Sequence, residues 1–210
     1  MNPYVIQEPA DSSDFLKNVI RIHRIEISQG FLTSLGDNAL VLLFSHASKS
    51  RFGRILIAKD TSSRQIVGFL LGTIDTGGFY KDFLCKKFLK AVFVLAPKLL
   101  SFEKVRKVLE ILFYPTKEDF KALPKSELLD IAVLKEYQGT GVAQLLFQEF
   151  AKNLYAIGID RFKITTGKSL RGARRFYEKL GAEKVGEVEV HKGQKTWIYL
   201  YRISERHSGA

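Results

Sequence analysis

Between Leu128 and Ile157 an apolar run, a pair of glycines and a periodic helix follow one another directly, which forces a strand to turn straight into a helix. The segment Leu128 to Leu134 reads as a mostly buried strand. From Val142 the apolar residues Val142, Leu146, Phe150, Leu154 and Ile157 return at helical spacing. Between them lies Gln138-Gly139-Thr140-Gly141-Val142-Ala143. A helix entered in this way leaves its first backbone N–H groups without intrahelical partners at the positive end of its dipole. Gly139 and Gly141 let a ligand approach that end without Cβ atoms in the way. A phosphate or pyrophosphate suits such a cradle. The loop matches neither well-known glycine fingerprint: Val142 and Ala143 stand where a Walker loop needs Lys and Ser or Thr, and Gln144 stands where a dinucleotide loop needs its third glycine. Glycine turns into helices are common and most bind nothing, so the loop needs support from elsewhere in the chain.

The 210 residues fit one domain, spanning 1–205 with a short tail at 206–210, and the 46% of apolar residues can build a substantial core. No apolar run approaches the ~18 residues needed to span a bilayer, and Met1-Asn2-Pro3-Tyr4 lacks the character of a signal peptide, so a cytoplasmic protein is expected. The lone Cys85 cannot form an internal disulfide and is expected to pack among Phe83, Leu84 and Phe88. Four histidines without a Cys/His cluster predict no structural metal. The net charge of +11 points to anionic partners. Part of the excess lies between Lys81 and Lys107, and a second cluster comprises Lys168, Arg171, Arg174 and Arg175. Nucleic acid is disfavoured, because aromatic and basic residues do not alternate along one strand surface.

Periodicity predicts a strand over Tyr4 to Gln7, a helix from Ser13 to Ile27 and a second helix from Gly30 through Ala47. Strands are predicted over Gly53 to Lys59 and Gln65 to Ile74. After the strand–turn–helix unit come a strand at Arg161 to Thr166, a helix at Leu170 to Lys179, and a hairpin of Glu183 to His191 with Thr196 to Ile203. Some fifty residues, 77–126, intervene before the fourth strand. Within them 79–96 and 102–113 carry basic and apolar residues at helical spacing. An insert of that length in a compact domain usually has a function. A wall or lid of the acceptor site and a homodimer surface are both open readings.

Gln-x-x-Gly-x-Ala after a strand carrying Ile-Ala-Val resembles the coenzyme A pyrophosphate loop of the GCN5-related N-acetyltransferase (GNAT) superfamily. A second motif of that family, a helix ending in Tyr-x-x-x-Gly, is matched by Ala173-Arg174-Arg175-Phe176-Tyr177-Glu178-Lys179-Leu180-Gly181-Ala182. Leu170 and Ala182 replace the Asn and the aromatic usual at its two ends. The resemblance covers nearly the whole chain and implies an α/β fold, a mixed sheet of about seven strands flanked by helices, with the helical insert between the third and fourth strands.

It also implies an acetyl-CoA-dependent transfer to an amine, without metal and without a covalent enzyme intermediate. The main chain of Ile131, Ala132 and Val133 would hold the pantetheine arm. Gln138, Gly139, Thr140, Gly141, Val142 and Ala143 would take the pyrophosphate, with Gln138 offering its side chain. Arg174 and Phe176 would add cofactor contacts. Tyr177 is the candidate general acid, since a phenol stays protonated at neutral pH and can donate to a departing thiolate. Glu127, opening the fourth strand, is the candidate base, and Asp130 is the alternative carboxylate. Alternation along a strand predicts that these two point to opposite faces. The stretch from Gly30 to Gly36 and the basic insert are similar to proteins that accompany surface-polysaccharide synthesis, which implies an amino-sugar nucleotide acceptor. A protein N-terminus or another small amine remains an alternative, with a polyamine the least attractive. From another class, a non-catalytic module that senses coenzyme A or binds nucleic acid would also suit the charge.

Overall fold

The computed structural model describes residues 3–10, 13–27, 33, 36–95, 122–191 and 194–204. The strands are β1 (Tyr4–Gln7), β2 (Gly53–Asp60), β3 (Ile66–Thr73), β4 (Glu127–Val133), β5 (Arg161–Gly167), β6 (Glu183–His191) and β7 (Gln194–Arg202). The helices are α1 (Ser13–Glu26), α2 (Asp37–Ala47), α3 (Thr76–Leu95), α4 (Val142–Ala156) and α5 (Arg171–Lys179). The strands form one sheet in the order β1-β2-β3-β4-β5-β7-β6. Every neighbouring pair is antiparallel except β4 and β5. Parallel neighbours need a crossover connection, and α4 supplies it.

Two cores sandwich the sheet. On one face Val142, Leu146, Phe147, Phe150 and Leu154 of α4 pack on Leu56, Leu70 and Leu128, with Phe162, Tyr177, Tyr199 and Tyr201 closing the far end. On the other, Phe15, Val19 and Ile22 of α1 join Leu40 and Phe44 of α2 over Ile55, Ile57, Phe69 and Leu71, and Phe79 of α3 extends that layer. Gly72 marks the tightest approach. A Cβ there would sit 2.3 Å from the ring of Phe150, so only glycine lets α4 seat on β3.

The seven-stranded mixed sheet follows the sequence reading closely, and the departures have physical causes. The helix expected over Gly30 to Ala47 is interrupted by Gly36, whose φ of 85° lies in the left-handed region, so α2 starts at Asp37. The first insert helix begins at Thr76, three residues before the expected Phe79, whereas the helix expected over 102–113 lies outside the described residues. Cys85 is exposed rather than packed, because the buried stripe of α3 runs through Phe79 and Phe83, both in ring contact with His46 of α2.

Candidate active site

β4 and β5 are each seven residues long, yet they pair only at Glu127 with Lys163 and Leu128 with Ile164. Beyond Leu128 they separate into a wedge-shaped gap. On the opposite edge β4 stays paired to β3 through Val133, and the Leu134 N–H donates to the Val67 carbonyl at 2.9 Å. Main-chain polar groups alternate sides along an antiparallel strand. Ala132 therefore spends its main-chain groups on β3, while the N–H groups of Ile131 and Val133 face the gap. Of the three residues expected to hold a pantetheine arm, Ile131 and Val133 turn their main chain away from β3, Ala132 does not, and the Ile131 N–H is engaged by the Asp130 carboxyl.

At the open end of the wedge a single 3₁₀ turn, Lys135–Tyr137, leads from β4 into the glycine loop. Gly139 and Gly141 have φ of 80° and 94°, and a Cβ built on either would meet nothing within 4 Å. Their role is thus conformational, since the left-handed backbone that aims the loop is strained for other residues. The N-cap Gly141 gives α4 no side-chain cap, so its first N–H groups stay open toward an anion. Thr140 turns its hydroxyl back onto the Tyr137 carbonyl at 2.7 Å. Val142 is buried under Gly68, and Ala143 is half-buried on the same core. The loop can therefore offer backbone to a pyrophosphate but no cationic side chain of its own.

Gln138 serves the loop differently from the expected direct contact. Its Nε2 donates to Glu26 Oε2 at 2.9 Å and to the Val133 carbonyl at 3.0 Å, which uses both amide protons. Glu26 also accepts from the Lys135 N–H at 3.0 Å. Gln138 is consequently a brace that ties the end of α1 to the end of β4. Arg174 also has another partner: its guanidinium lies 4.2 Å over the ring of Trp197, which Lys184 covers at 3.6 Å. Phe176 packs edge-on against Phe147 with centroids 6.2 Å apart and fixes α5 to α4.

Tyr177, on the buried side of α5, is only 5% exposed. Burial pushes its phenol well above the usual range, and the nearby charge of Asp130 pushes it further. The phenol therefore holds its proton at any physiological pH, on the α4 side of the sheet and within electrostatic reach of the gap.

Glu127 is fully buried in a polar cluster that the sequence reading did not foresee. Thr165 donates to its Oε1 at 2.9 Å, Thr76 lies 3.0 Å from Oε2, and the Lys163 ammonium lies 3.5 Å from Oε2. Lys163 also donates to the Pro124 carbonyl at 2.7 Å. Thr76 opens α3, and its N–H donates to the Lys125 carbonyl at 2.9 Å, so both ends of the insert are pinned here. Tyr80, one turn along α3, has its phenol raised by burial and by the Glu127 charge.

Asp130 was expected on the face opposite Glu127, and the structure corrects this. Thr73 pairs with Glu127 and Leu71 with Asp130, because β4 carries one extra residue, Leu129, in a bulge. An inserted residue restarts the alternation, so both carboxylates point to the α1 side. There Asp130 Oδ2 lies 3.3 Å from Nε2 of His23, with the two side chains 13% and 2% exposed. Burial raises the carboxyl to about 7, partly offset by the Ile131 N–H, and the same burial lowers the imidazole to about 4. Sequence reasoning missed His23, although a signal existed: it stands beside Ile22 on the stripe Phe15, Val19, Ile22, the only buried polar side chain of α1 among the described residues.

The gap, with the Val133 N–H on its edge, and the open glycine-loop helix end lie toward the same end of β4, and Tyr177 is buried in the core on the α4 side. The model of the acetyltransferase (GNAT) family matches residues 26–182 of this chain. The chain belongs to that family. It is an acetyl-CoA-dependent N-acetyltransferase. Among solved structures it is similar to a GNAT-family acetyltransferase from Desulfovibrio desulfuricans, at 14% identity over 96% of this chain and 99% of the other, with a TM-score of 0.62. It is also similar to PaiA N-acetyltransferase from Thermoplasma acidophilum in complex with coenzyme A (13%, 95% and 98%, 0.60). A third is the ribosomal-protein-S18-alanine N-acetyltransferase from Escherichia coli (12%, 96% and 94%, 0.58). At these identities the likeness speaks for the fold alone. No curated protein sequence matches the chain. Among the described residues no helix is long and apolar enough to cross a membrane, and no group of three or more His, Cys, Asp or Glu residues could hold a metal ion.

Proposed function

We propose that this N-acetyltransferase acts on a primary amine carried by a small anionic molecule, an amino-sugar nucleotide being the acceptor that best suits the chain, and that Tyr177 protonates the departing thiolate. The observation behind the catalytic part is the wedge between β4 and β5, with the Val133 N–H on its edge and Tyr177 buried on the α4 side, near enough for the Asp130 charge to act on its phenol. A donor N–H aimed at a carbonyl stabilises the oxyanion that develops on it, and a phenol protonated in the resting state carries a proton that the thiolate can take. Backbone amides of Gly139 to Ala143 take the pyrophosphate in this reading, with Gln138 bracing the loop. Arg174 and Phe176 keep α5 in place rather than touching the cofactor.

The net charge of +11 supports an anionic acceptor. In this reading α3, pinned to the sheet through Thr76 and Lys125 beside Glu127, serves as a wall of the acceptor side. Thiol release from acetyl-CoA over a panel of amines tests the reading: amino-sugar nucleotides, protein N-terminal peptides, polyamines and free amino sugars. The amino-sugar nucleotide should give the highest kcat/KM, and equal rates for the free amino sugar would remove the anionic part of the proposal. Tyr177→Phe should keep acetyl-CoA affinity and lose on the order of 10²-fold or more in kcat. Loss of affinity instead would make Tyr177 a packing residue. Salt-sensitive DNA or RNA binding without turnover on any amine would favour a non-catalytic module.

A further inference from the structure

Between the last ladder bond of β4, from the Leu134 N–H to the Val67 carbonyl, and the first glycine of the loop, the chain makes the single 3₁₀ turn Lys135–Tyr137. Bonds within the turn fix its shape: the Tyr137 N–H donates to the Leu134 carbonyl at 2.8 Å and the Gln138 N–H to the Lys135 carbonyl at 3.2 Å. Its direction against the sheet needs anchors from outside. The Tyr137 ring is one, edge-on to Tyr4 with centroids 6.3 Å apart. Glu26 is another. Leu134, at the N-cap of the turn, makes no side-chain bond to it, so nothing local satisfies the Lys135 N–H. Glu26 Oε1 accepts that N–H at 3.0 Å, from 109 residues away in the chain, and Oε2 accepts the Gln138 amide at 2.9 Å. One carboxylate thus clasps both ends of the turn, and the same amide carries the clasp on to the Val133 carbonyl at 3.0 Å.

Local chemistry disfavours a carboxylate at this position. Glu26 ends α1, at the negative end of that helix's dipole, and it touches Gln138, the residue before a glycine cradle suited to an anion. Its gain comes from the two donors it holds. A carboxylate offers two acceptor oxygens, whereas a glutamine would turn its NH₂ toward one of those donors. We propose that Glu26 is a positioning residue of the acetyl-CoA site: it sets the direction in which the glycine loop leaves β4, and its hold on the turn outweighs its repulsion of the pyrophosphate. This inference rests on the reading that the amides of Gly139 to Ala143 take the pyrophosphate. Glu26 acts through Lys135 and Gln138 and not by contact with the cofactor. A loop already held in its binding direction does not have to be ordered when the cofactor arrives.

The two effects of this carboxylate on acetyl-CoA have opposite signs. Removing it frees the turn, which weakens binding. Removing it also takes away a like charge, which tightens binding. Salt screens the second effect and largely spares the first. The ratio of dissociation constants, Glu26→Ala over wild type, should therefore lie above one and grow as salt is added. A residue that acted by charge alone would give a ratio below one that climbs back to one.

The test measures acetyl-CoA affinity by calorimetry, at low and high salt, for the full-length wild type, Glu26→Ala, Gln138→Ala, the double variant and Gly141→Ala. Loss of two bonds to a charged acceptor should weaken binding by roughly tenfold in Glu26→Ala. Equal or tighter binding, or a ratio that shrinks with salt, would overturn the proposal. Both single variants open the same clasp, so the double variant should lose little beyond the worse of them, and additive losses would also overturn it. Hydrogen exchange in the free protein supplies a readout without cofactor. The Lys135 amide should be protected in the wild type and exchange fast in Glu26→Ala, while the Tyr137 and Gln138 amides stay slow because their bonds lie within the turn. Equal protection of Lys135 in both proteins would overturn the proposal. Loss of protection throughout the turn would do the same, since Glu26 would then maintain its shape and not its direction. Gly141→Ala tests the loop reading by itself. If it binds acetyl-CoA as the wild type does, the pyrophosphate lies elsewhere and the loop reading fails together with this inference. Weakened binding in Gly141→Ala beside unchanged binding in Glu26→Ala would strike the role of Glu26 alone.

Discussion

Glu127 and Asp130 stand on one strand, on one face, under one layer of helices, and their surroundings make them different groups. Glu127 has two threonine hydroxyls and an ammonium within bonding range, so its charge is matched and its position fixed. Asp130 has one backbone donor, the Ile131 N–H, and a buried imidazole 3.3 Å away, so burial outweighs its donors and its carboxyl is raised. Burial alone does not make a carboxylate reactive. Burial with a full set of donors makes it structural, whereas burial with too few makes it a place for a proton.

The sharpest way to break this contrast is to remove each carboxyl and measure stability. Glu127→Ala leaves the Lys163 ammonium buried without its counter-charge and should cost about 3 to 5 kcal/mol in denaturant unfolding. Asp130→Asn replaces an unmatched acid with an amide that can donate to Nε2 and should be close to neutral near pH 7. Equal losses in the two variants would erase the distinction.

The pH dependence of stability offers a finer test. Asp130 is raised in the folded chain, so its contribution is complete below about 4 and is lost as pH rises toward about 7. His23 is lowered from 6.5 to about 4, so its contribution is complete above 6.5 and is lost as pH falls toward about 4. Between those limits the folded pair holds one proton, on Asp130, and the unfolded pair holds one, on His23, so the two slopes cancel in the wild type. Asp130→Asn should expose the histidine slope, with stability falling toward acid by up to about 1.4 kcal/mol per pH unit. His23→Gln should expose the opposite slope. Parallel slopes in the two variants would show that the groups do not share a proton.

The smallest effect belongs to the donor loop, which should be indifferent to both carboxylates. Gly141→Ala forces a side chain into left-handed backbone and should cost about 1 to 2 kcal/mol. It should also weaken acetyl-CoA binding without moving the pH profile. A changed pH dependence would couple the loop to the His23–Asp130 pair.

Much of the scaffold was legible before any coordinates. The period of α4, the alternating strands and the glycines at 139 and 141 were visible, because each depends on local patterns a few residues long. The site was legible only in part. Gln138 and Arg174 had partners already, Glu26 and the Val133 carbonyl for one and the Trp197 ring for the other. Those partners come from distant parts of the chain, and no spacing rule brings them together. The extra residue at Leu129 was equally hidden. Nothing in Leu128-Leu129-Asp130 distinguishes a bulge from regular strand, yet it reversed the face on which Asp130 lies.

The sequence by itself determined a strand, a glycine turn and a helix, and with them the order of elements that carries the donor side, because backbone conformation and apolar period are written locally. The tertiary structure decided what each carboxylate does. A side chain's charge depends on what surrounds it, and at Glu127 and Asp130 the surroundings are supplied by α1, α3 and β5, each brought in from elsewhere in the chain.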